Sequence, residues 1–218
     1  ADVNATSSDG ATALFTAGQQ GHTECVALVV SAGASIDLPN AQGISPLYAA
    51  AYAGRCECVR LLLRAAANVD GTNVDGQTAL HACSSADQPS CVSLLLSHGA
   101  KVDTRSVSGC TPLYAACVEG GRDSARLLIA ASAEVNSASL EGFTPLFGAC
   151  ERGRAECVEL LLKNHARTDA VTSTGYTALM IAGSNGHPEC MRLLLNAGAD
   201  MRAKGNKGET ILTLVKAV

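Results

Sequence analysis

The chain repeats itself every 33 residues. The run Thr111-Pro112-Leu113-Tyr114-Ala115-Ala116-Cys117 returns as Thr144-Pro145-Leu146-Phe147-Gly148-Ala149-Cys150. Stepping by the same interval finds Thr12-Ala13-Leu14, Ser45-Pro46-Leu47, Thr78-Ala79-Leu80, Thr177-Ala178-Leu179 and Thr210-Ile211-Leu212, with no insertion. A second series keeps the same beat: Ala1, Ala34, Ala67, Ala100, Ala133, Ala166 and Ala199. Such a period calls for one supersecondary unit stacked on copies of itself.

Local chemistry says what the unit is. Thr or Ser is a good helix N-cap, because its hydroxyl accepts from an orphan backbone N–H. Pro46, Pro112 and Pro145 follow the cap, where a missing N–H costs nothing. Small residues after them, such as Ala49-Ala50-Ala51, let helices approach closely. Gly21, Gly54, Gly120, Gly153 and Gly186 are placed to stop this short first helix. A second helix carries E-C-V-x-L-L-L, as in Glu57-Cys58-Val59 with Leu61 to Leu63 and Glu156-Cys157-Val158 with Leu160 to Leu162. Its apolar residues recur at three- and four-residue spacing, a buried stripe. Gly33, Gly99 and Gly198 fit a left-handed cap after it, whereas Ala66, Ser132 and His165 stand in the same slot at a cost of up to ~1 kcal/mol each. A turn such as Asn73-Val74-Asp75-Gly76 leads into the next Thr.

A 33-residue turn plus two helices with T-P-L-x-x-A resembles the ankyrin repeat. The resemblance covers essentially the whole chain. It implies an all-α solenoid of stacked helix-turn-helix units with β-hairpin-like fingers, the fingers and first helices forming a concave face. On this reading residues 1–218 are one domain. Residues 1–6 are the tail of a preceding repeat, full repeats span about 7–39, 40–72, 73–105, 106–138, 139–171 and 172–204, and 205–218 is a partial unit ending at Val218 without a second helix. Some positions depart from the pattern. The His of T-P-L-H survives only as His81, the fourth unit has Ser124 where others have Cys, and the third has Asp87 where others have Gly.

Composition bears on the class of partner. The formal net charge is −4, which argues against nucleic acid and anionic membranes, and no apolar run approaches the length of a membrane span. Of the 10 cysteines, Cys25, Cys58, Cys91, Cys157 and Cys190 share one slot of the repeat and read as small hydrophobes. Equivalent cysteines are held a stacked unit apart, roughly 8–10 Å, so disulfides are not expected between them. Cys56 and Cys58 lie two apart on a helix and do not face each other, so no metal site is expected. Thiols without a disulfide plan fit a reducing compartment, the cytoplasm or nucleus.

No catalytic constellation is legible, so no enzyme activity and no cofactor are expected. His22-Thr23-Glu24-Cys25 and His187-Pro188-Glu189-Cys190 are one structural slot seen twice, on the order of 40–50 Å apart in a stack. Nothing brings a nucleophile, a base and an oxyanion donor together.

Binding remains, and the aromatics point to its face. Tyr48, Tyr114 and Phe147 (with Phe15) follow the T-P-L phrase. Tyr52 is on a first helix, and Phe143 and Tyr176 precede the Thr at the finger base. None lies on a second helix, and large rings are common interface anchors. Ile44, Val107 and Leu140 are apolar where a finger need not be buried, and Glu151 and Arg152 add charge. These residues are the expected contacts for a protein partner of a monomer or of part of a longer chain. The E-C-V-x-L-L-L helices further resemble repeats that precede a SOCS box. That likeness implies, as an alternative, the substrate-recognition domain of a ubiquitin-ligase receptor; another is the binding domain of a larger enzyme, channel or effector. Finally, Leu128 with Glu134-Val135-Asn136 resembles the L-x5-[DE]-V-N context in which ankyrin asparagines are hydroxylated by an iron- and oxoglutarate-dependent enzyme.

Overall fold

A computed structural model of the chain describes residues 2–215, the side chains of 212 and 215 excepted. Ala1 of the alanine series and the last three positions of the expected partial unit lie outside the described residues.

The Thr/Ser slot caps as its chemistry requires. The hydroxyls of Thr12, Ser45, Thr111, Thr144 and Thr177 each accept from the backbone N–H three residues on, at 3.1–3.3 Å. They open the inner helices α1 (Ala13–Gln20), α3 (Pro46–Tyr52), α7 (Pro112–Glu119), α9 (Pro145–Glu151) and α11 (Ala178–Ser184). Thr78 opens α5 (Ala79–Ser85) through a capping box with His81, and α13 (Ile211–Val215) begins the last unit. Each of the first six inner helices is followed by an outer one: α2 (Thr23–Ser31), α4 (Cys56–Arg64), α6 (Pro89–Ser97), α8 (Arg122–Ala130), α10 (Ala155–Lys163) and α12 (Pro188–Asn196). We number these pairs units one to six.

The turns confirm the conformations expected of their slots. Ala66, Ser132 and His165 adopt φ of 62°, 69° and 63°, the left-handed region that Gly33, Gly99 and Gly198 occupy in the other units. Asp87, in the slot otherwise filled by the first-helix stop glycines, is the remaining positive-φ residue other than glycine among those described, at φ 45°.

Neighbouring units touch through three layers. The core is two rows of leucine. Leu14, Leu47, Leu80, Leu113, Leu146 and Leu179 come from the inner helices, and Leu62, Leu95, Leu128, Leu161 and Leu194 from the outer ones, all buried. Inner helices pack on one another more closely than outer helices do. The unit-one helix α2 shows what the stack hides. Cys25 is exposed and Leu28 is 70% exposed, whereas Cys58, Cys91, Cys157 and Cys190 in the slot of Cys25 are covered by the unit before them. Cys25 is therefore not the small core hydrophobe that its slot suggests.

The second layer is polar. Asn4, Asp37, Asp70, Asp103 and Asn136 each accept a backbone N–H from the residue 31 positions on, at 2.8–3.2 Å. These bonds tie the base of each finger to the next. The third layer is at the stops. Arg55 lies over Gly21 and its Nε donates to the Gln19 carbonyl at 3.3 Å. Arg154 lies over Gly120 and donates to Val118 at 3.2 Å, and His187 lies over Gly153 and bonds the Glu151 carbonyl at 3.1 Å. In these three seams a side chain at the start of an outer helix thus caps the end of the inner helix of the unit before. His22, in the same slot as His187, makes no side-chain cap bond.

Candidate interaction surface

The fingers are built as an ordered row. In each, a residue at the turn start bonds back on the loop. Asn73 Oδ1, for instance, accepts from Asp75 N–H at 3.0 Å and Gln77 N–H at 2.9 Å, an Asx turn. Adjacent fingers are then joined by backbone bonds from Ala41 to Asp9, Val74 to Gln42, Val107 to Asp75, Leu140 to Ser108, Ser173 to Glu141 and Asn206 to Thr174, at 2.8–3.4 Å. Gly76, with φ +72°, shows why the turn needs glycine, because a Cβ there would lie 2.9 Å from the Val107 nitrogen. The ladder sets the tip residues in register. Val74, Val107 and Leu140 stand on three consecutive fingers at 68%, 70% and 77% exposure.

Below the tips, aromatic residues line the inner helices. Ile44, Tyr48 and Tyr52 come together with Phe15, Gln19 and Ala49 around a hollow of about 310 Å³. Tyr52 is 57% exposed. Ile44 and Tyr48 are half-buried, and the Tyr48 hydroxyl donates to Gln77 Oε1 at 3.1 Å. Tyr114 is half-buried and packs over Gly148, where a Cβ would lie 3.0 Å from the ring. Burial pushes its phenol up to about 12 and raises that of Tyr48, so both remain neutral hydroxyls at physiological pH. Tyr176 borders a separate hollow of about 350 Å³ with Ser173, Asn206 and Lys207.

Phe147 does not join this surface. It is 6% exposed, beneath Phe143, with ring centroids 5.1 Å apart. The residue after T-P-L does not rest only on its own finger. Tyr48 reaches Gln77, and His81 reaches the Cys110 carbonyl, both in the finger of the next unit. Arg152 is exposed, while the Glu151 carbonyl accepts from Asn185 Nδ2 at 2.9 Å and from His187. Val74 and Gln19 went unread in the sequence. Val74 shares its slot with Val107 and Leu140, and Gln19 shares that of Tyr52, so the repeat itself carried the signal.

His81 is the titratable group of this layer. Its Nδ1 accepts from the Thr78 N–H at 3.1 Å, which leaves Nε2–H to donate to the Cys110 carbonyl at 3.2 Å. Burial lowers its pKa below the ordinary value of 6.5, so the folded chain holds it neutral. The unfolded chain protonates first as pH falls. Stability due to this group is full above about pH 6.5 and is lost as pH drops toward the lower folded value. Urea melts between pH 7 and pH 5.5 are expected to show this fall, and His81→Tyr, the residue of Tyr48 and Tyr114, is expected to flatten it.

Asn136, the expected modification site, is held at both ends of its amide. Oδ1 accepts from Arg167 N–H at 2.8 Å and Nδ2 donates to the His165 carbonyl at 3.3 Å. The outer helices offer a different surface. On four of them exposed charges pair within the helix, as Glu57–Arg60, Asp123–Arg126, Glu159–Lys163 and Glu189–Arg192, and Arg122 with Glu156 joins α8 to α10 at 4.0 Å. Among the described residues no cluster of His, Cys, Asp or Glu is placed to hold a metal ion, and no helix is long and apolar enough to cross a membrane.

Comparison with known proteins agrees with this architecture. The family described as Ankyrin repeats (3 copies) matches residues 1–73, 67–139 and 131–205. The chain is similar to the crystal structure of the human ASB11 ankyrin repeat domain, at 28% identity and a TM-score of 0.88, over 94% of this chain and 91% of that one. It is also similar to the ankyrin repeat domain of Bcl-3, a member of the IkappaB protein family, at 29% identity and a TM-score of 0.80, over 94% of each chain. No curated protein matches it. The period, the helix pairs, the finger ladder and the family match together place the chain in the ankyrin-repeat family.

Proposed function

We propose that this ankyrin-repeat domain, a protein-interaction module, works as a scaffold or adaptor that binds a protein partner on its finger and inner-helix face without itself catalysing a reaction. The observation that carries the reading is a contrast between faces. The inner side presents the Ile44–Tyr48–Tyr52 hollow and the exposed row Val74, Val107 and Leu140. The outer helices α4, α8, α10 and α12 present ion pairs, formed within single helices or, for Arg122 with Glu156, between neighbours. Exposed pairs of that kind contribute little to binding or stability, whereas apolar and aromatic anchors dominate interfaces.

Tyr52→Ala with Leu140→Ala tests it. Both side chains are mostly in solvent, so the thermal midpoint is expected to stay within about 2 °C, in line with surface substitutions. Truncating two interface anchors of about 2 kcal/mol each should lower the amount of protein retained on the immobilised chain by tenfold or more. Undiminished retention would remove this face from consideration. Leu140 replaces Phe143 in this test because Phe143 also covers Phe147.

A second reading is favoured by the E-C-V-x-L-L-L outer helices and their likeness to repeats that precede a SOCS box: recognition of substrates for a ubiquitin ligase. Recovery of ligase subunits with the native full-length protein would support it. Their absence from that complex would leave the scaffold reading alone.

A further inference from the structure

Three cysteine pairs lie across the seams between units, and one of them differs from the other two. Cys117 pairs with Cys157 and Cys150 with Cys190, every member buried. Cys117 and Cys150 each donate the S–H to the partner sulfur. That bond, together with burial, holds them far above the ordinary thiol range, and it lowers Cys157 and Cys190. All four sulfurs are buried and so shielded from polar reagents. The third pair is Cys56 with Cys91, whose sulfurs are 2.6 Å apart. Cys91 is fully buried near the start of α6, but Cys56, the first residue of α4, is only half-buried.

The pairing follows from the repeat. In unit one the slot of Cys56 holds Thr23, whose hydroxyl lies 3.9 Å from the Cys58 sulfur of unit two. In both seams this slot faces the outer-helix cysteine slot of the next unit. In units three to six it holds Pro89, Arg122, Ala155 and Pro188. Cysteines in equal slots are held a stacked unit apart, whereas Cys56 and Cys91 occupy unequal slots that meet across a seam.

We propose that Cys56 and Cys91 form a thiol-modification site that a low-molecular-weight disulfide such as oxidised glutathione converts to a disulfide between units two and three. The exchange balances in two steps. The Cys56 thiolate attacks one glutathione sulfur, breaking the glutathione S–S bond and releasing one glutathione thiolate. The Cys91 thiol then gives its proton to solvent, and its sulfur attacks Cys56 Sγ, releasing the second glutathione. The protein loses two electrons and two protons, and oxidised glutathione becomes two reduced molecules. Burial raises the Cys91 thiol, so the second step is the slower one. The bond must draw the sulfurs together by only about 0.6 Å. It fastens α4, directly behind the Tyr48–Tyr52 hollow, to the next unit.

The test is incubation of the folded 218-residue chain with oxidised glutathione, followed by non-reducing peptide mass spectrometry. The expected product yields a cross-linked peptide joining Cys56 to Cys91, two hydrogen masses lighter than its two reduced component peptides together. It reverts with dithiothreitol, forms in Cys58→Ala, and fails to form in Cys56→Ser. Its thermal midpoint is expected to rise by roughly 5–10 °C, because the bond closes a long loop in the unfolded chain. Exposed Cys25 should carry a glutathione adduct, which shows that the reagent is active. A stable glutathione adduct on Cys56, or a disulfide formed through another cysteine, would overturn the proposal. So would an unreacted Cys56 beside a modified Cys25.

Discussion

Leu113→Ala is expected to lower the unfolding free energy by about 2–5 kcal/mol. The side chain is 0% exposed in α7, between its counterparts Leu80 and Leu146, themselves 1% exposed. Its removal leaves a cavity that the neighbouring helices cannot close without shifting both seams of unit four. A stack of this kind is held together by contacts between adjacent units. The loss should therefore appear in the shape of the transition as well as its midpoint: one urea transition should become two, as the units before and after unit four unfold separately. Leu28→Ala, at a leucine 70% exposed on α2, should change stability by less than about 0.5 kcal/mol. Similar small effects from both substitutions would show that contacts between units do not dominate.

The second large effect concerns the seam between units three and four, where several departures from the repeat occur together. Elsewhere a long side chain of one unit lies over the stop glycine of the unit before. Here the roles are exchanged. Asp87 occupies the glycine slot and Gly121 the long-side-chain slot. Asp87 Oδ1 accepts from the Ser124 N–H at 3.1 Å, at the first turn of α8. A Cβ on Gly121 would lie 3.0 Å from that same oxygen. Gly121→Arg should therefore cost about 1–3 kcal/mol by overpacking. Asp87→Gly loses a helix-cap acceptor but relieves a left-handed aspartate, two effects of about 1 kcal/mol each and opposite in sign, so it should be nearly neutral. The double variant restores the arrangement of Gly21 with Arg55 and should recover most of the loss. Urea denaturation of the four proteins measures the coupling. Additivity within about 0.5 kcal/mol would mean that the two sites do not act as a pair.

The same seam holds the hydroxyls of Ser84 and Ser124, both buried and without a hydrogen-bond partner. They fill the slots occupied in the next seam by Cys117 and Cys157. Ser84→Cys with Ser124→Cys would give these slots the thiol pair found there.

Period and caps made the fold readable without coordinates. Thr111, Pro112 and Gly120 each act within one helix, so a short stretch of sequence is enough to interpret them. The left-handed turns at Ala66, Ser132 and His165 were equally plain, since a slot filled by glycine in other units announces its backbone. Asp87 looked like an isolated departure and Gly121 did not stand out, because their relation exists only across a seam. Cys56 and Cys91 were hidden for the same reason: the sequence aligns equal slots, whereas packing brings unequal slots together. The interaction surface was half legible. Tyr52 and Leu140 stood out as large apolar residues where burial is not required. Phe147 looked equivalent to Tyr48, but Phe143 covers it, and no periodic argument foresees a ring from the same finger closing over it.

The claim that other proteins are engaged on the finger side can be tested by position. A photo-crosslinking phenylalanine analogue is placed at Tyr52, at Val107 or at Arg126, the last on the outer helix α8, and each variant is irradiated in cells. Engagement on the finger side predicts covalent protein adducts from positions 52 and 107 and none above background from position 126. Adducts confined to position 126, or equal from all three, would contradict it.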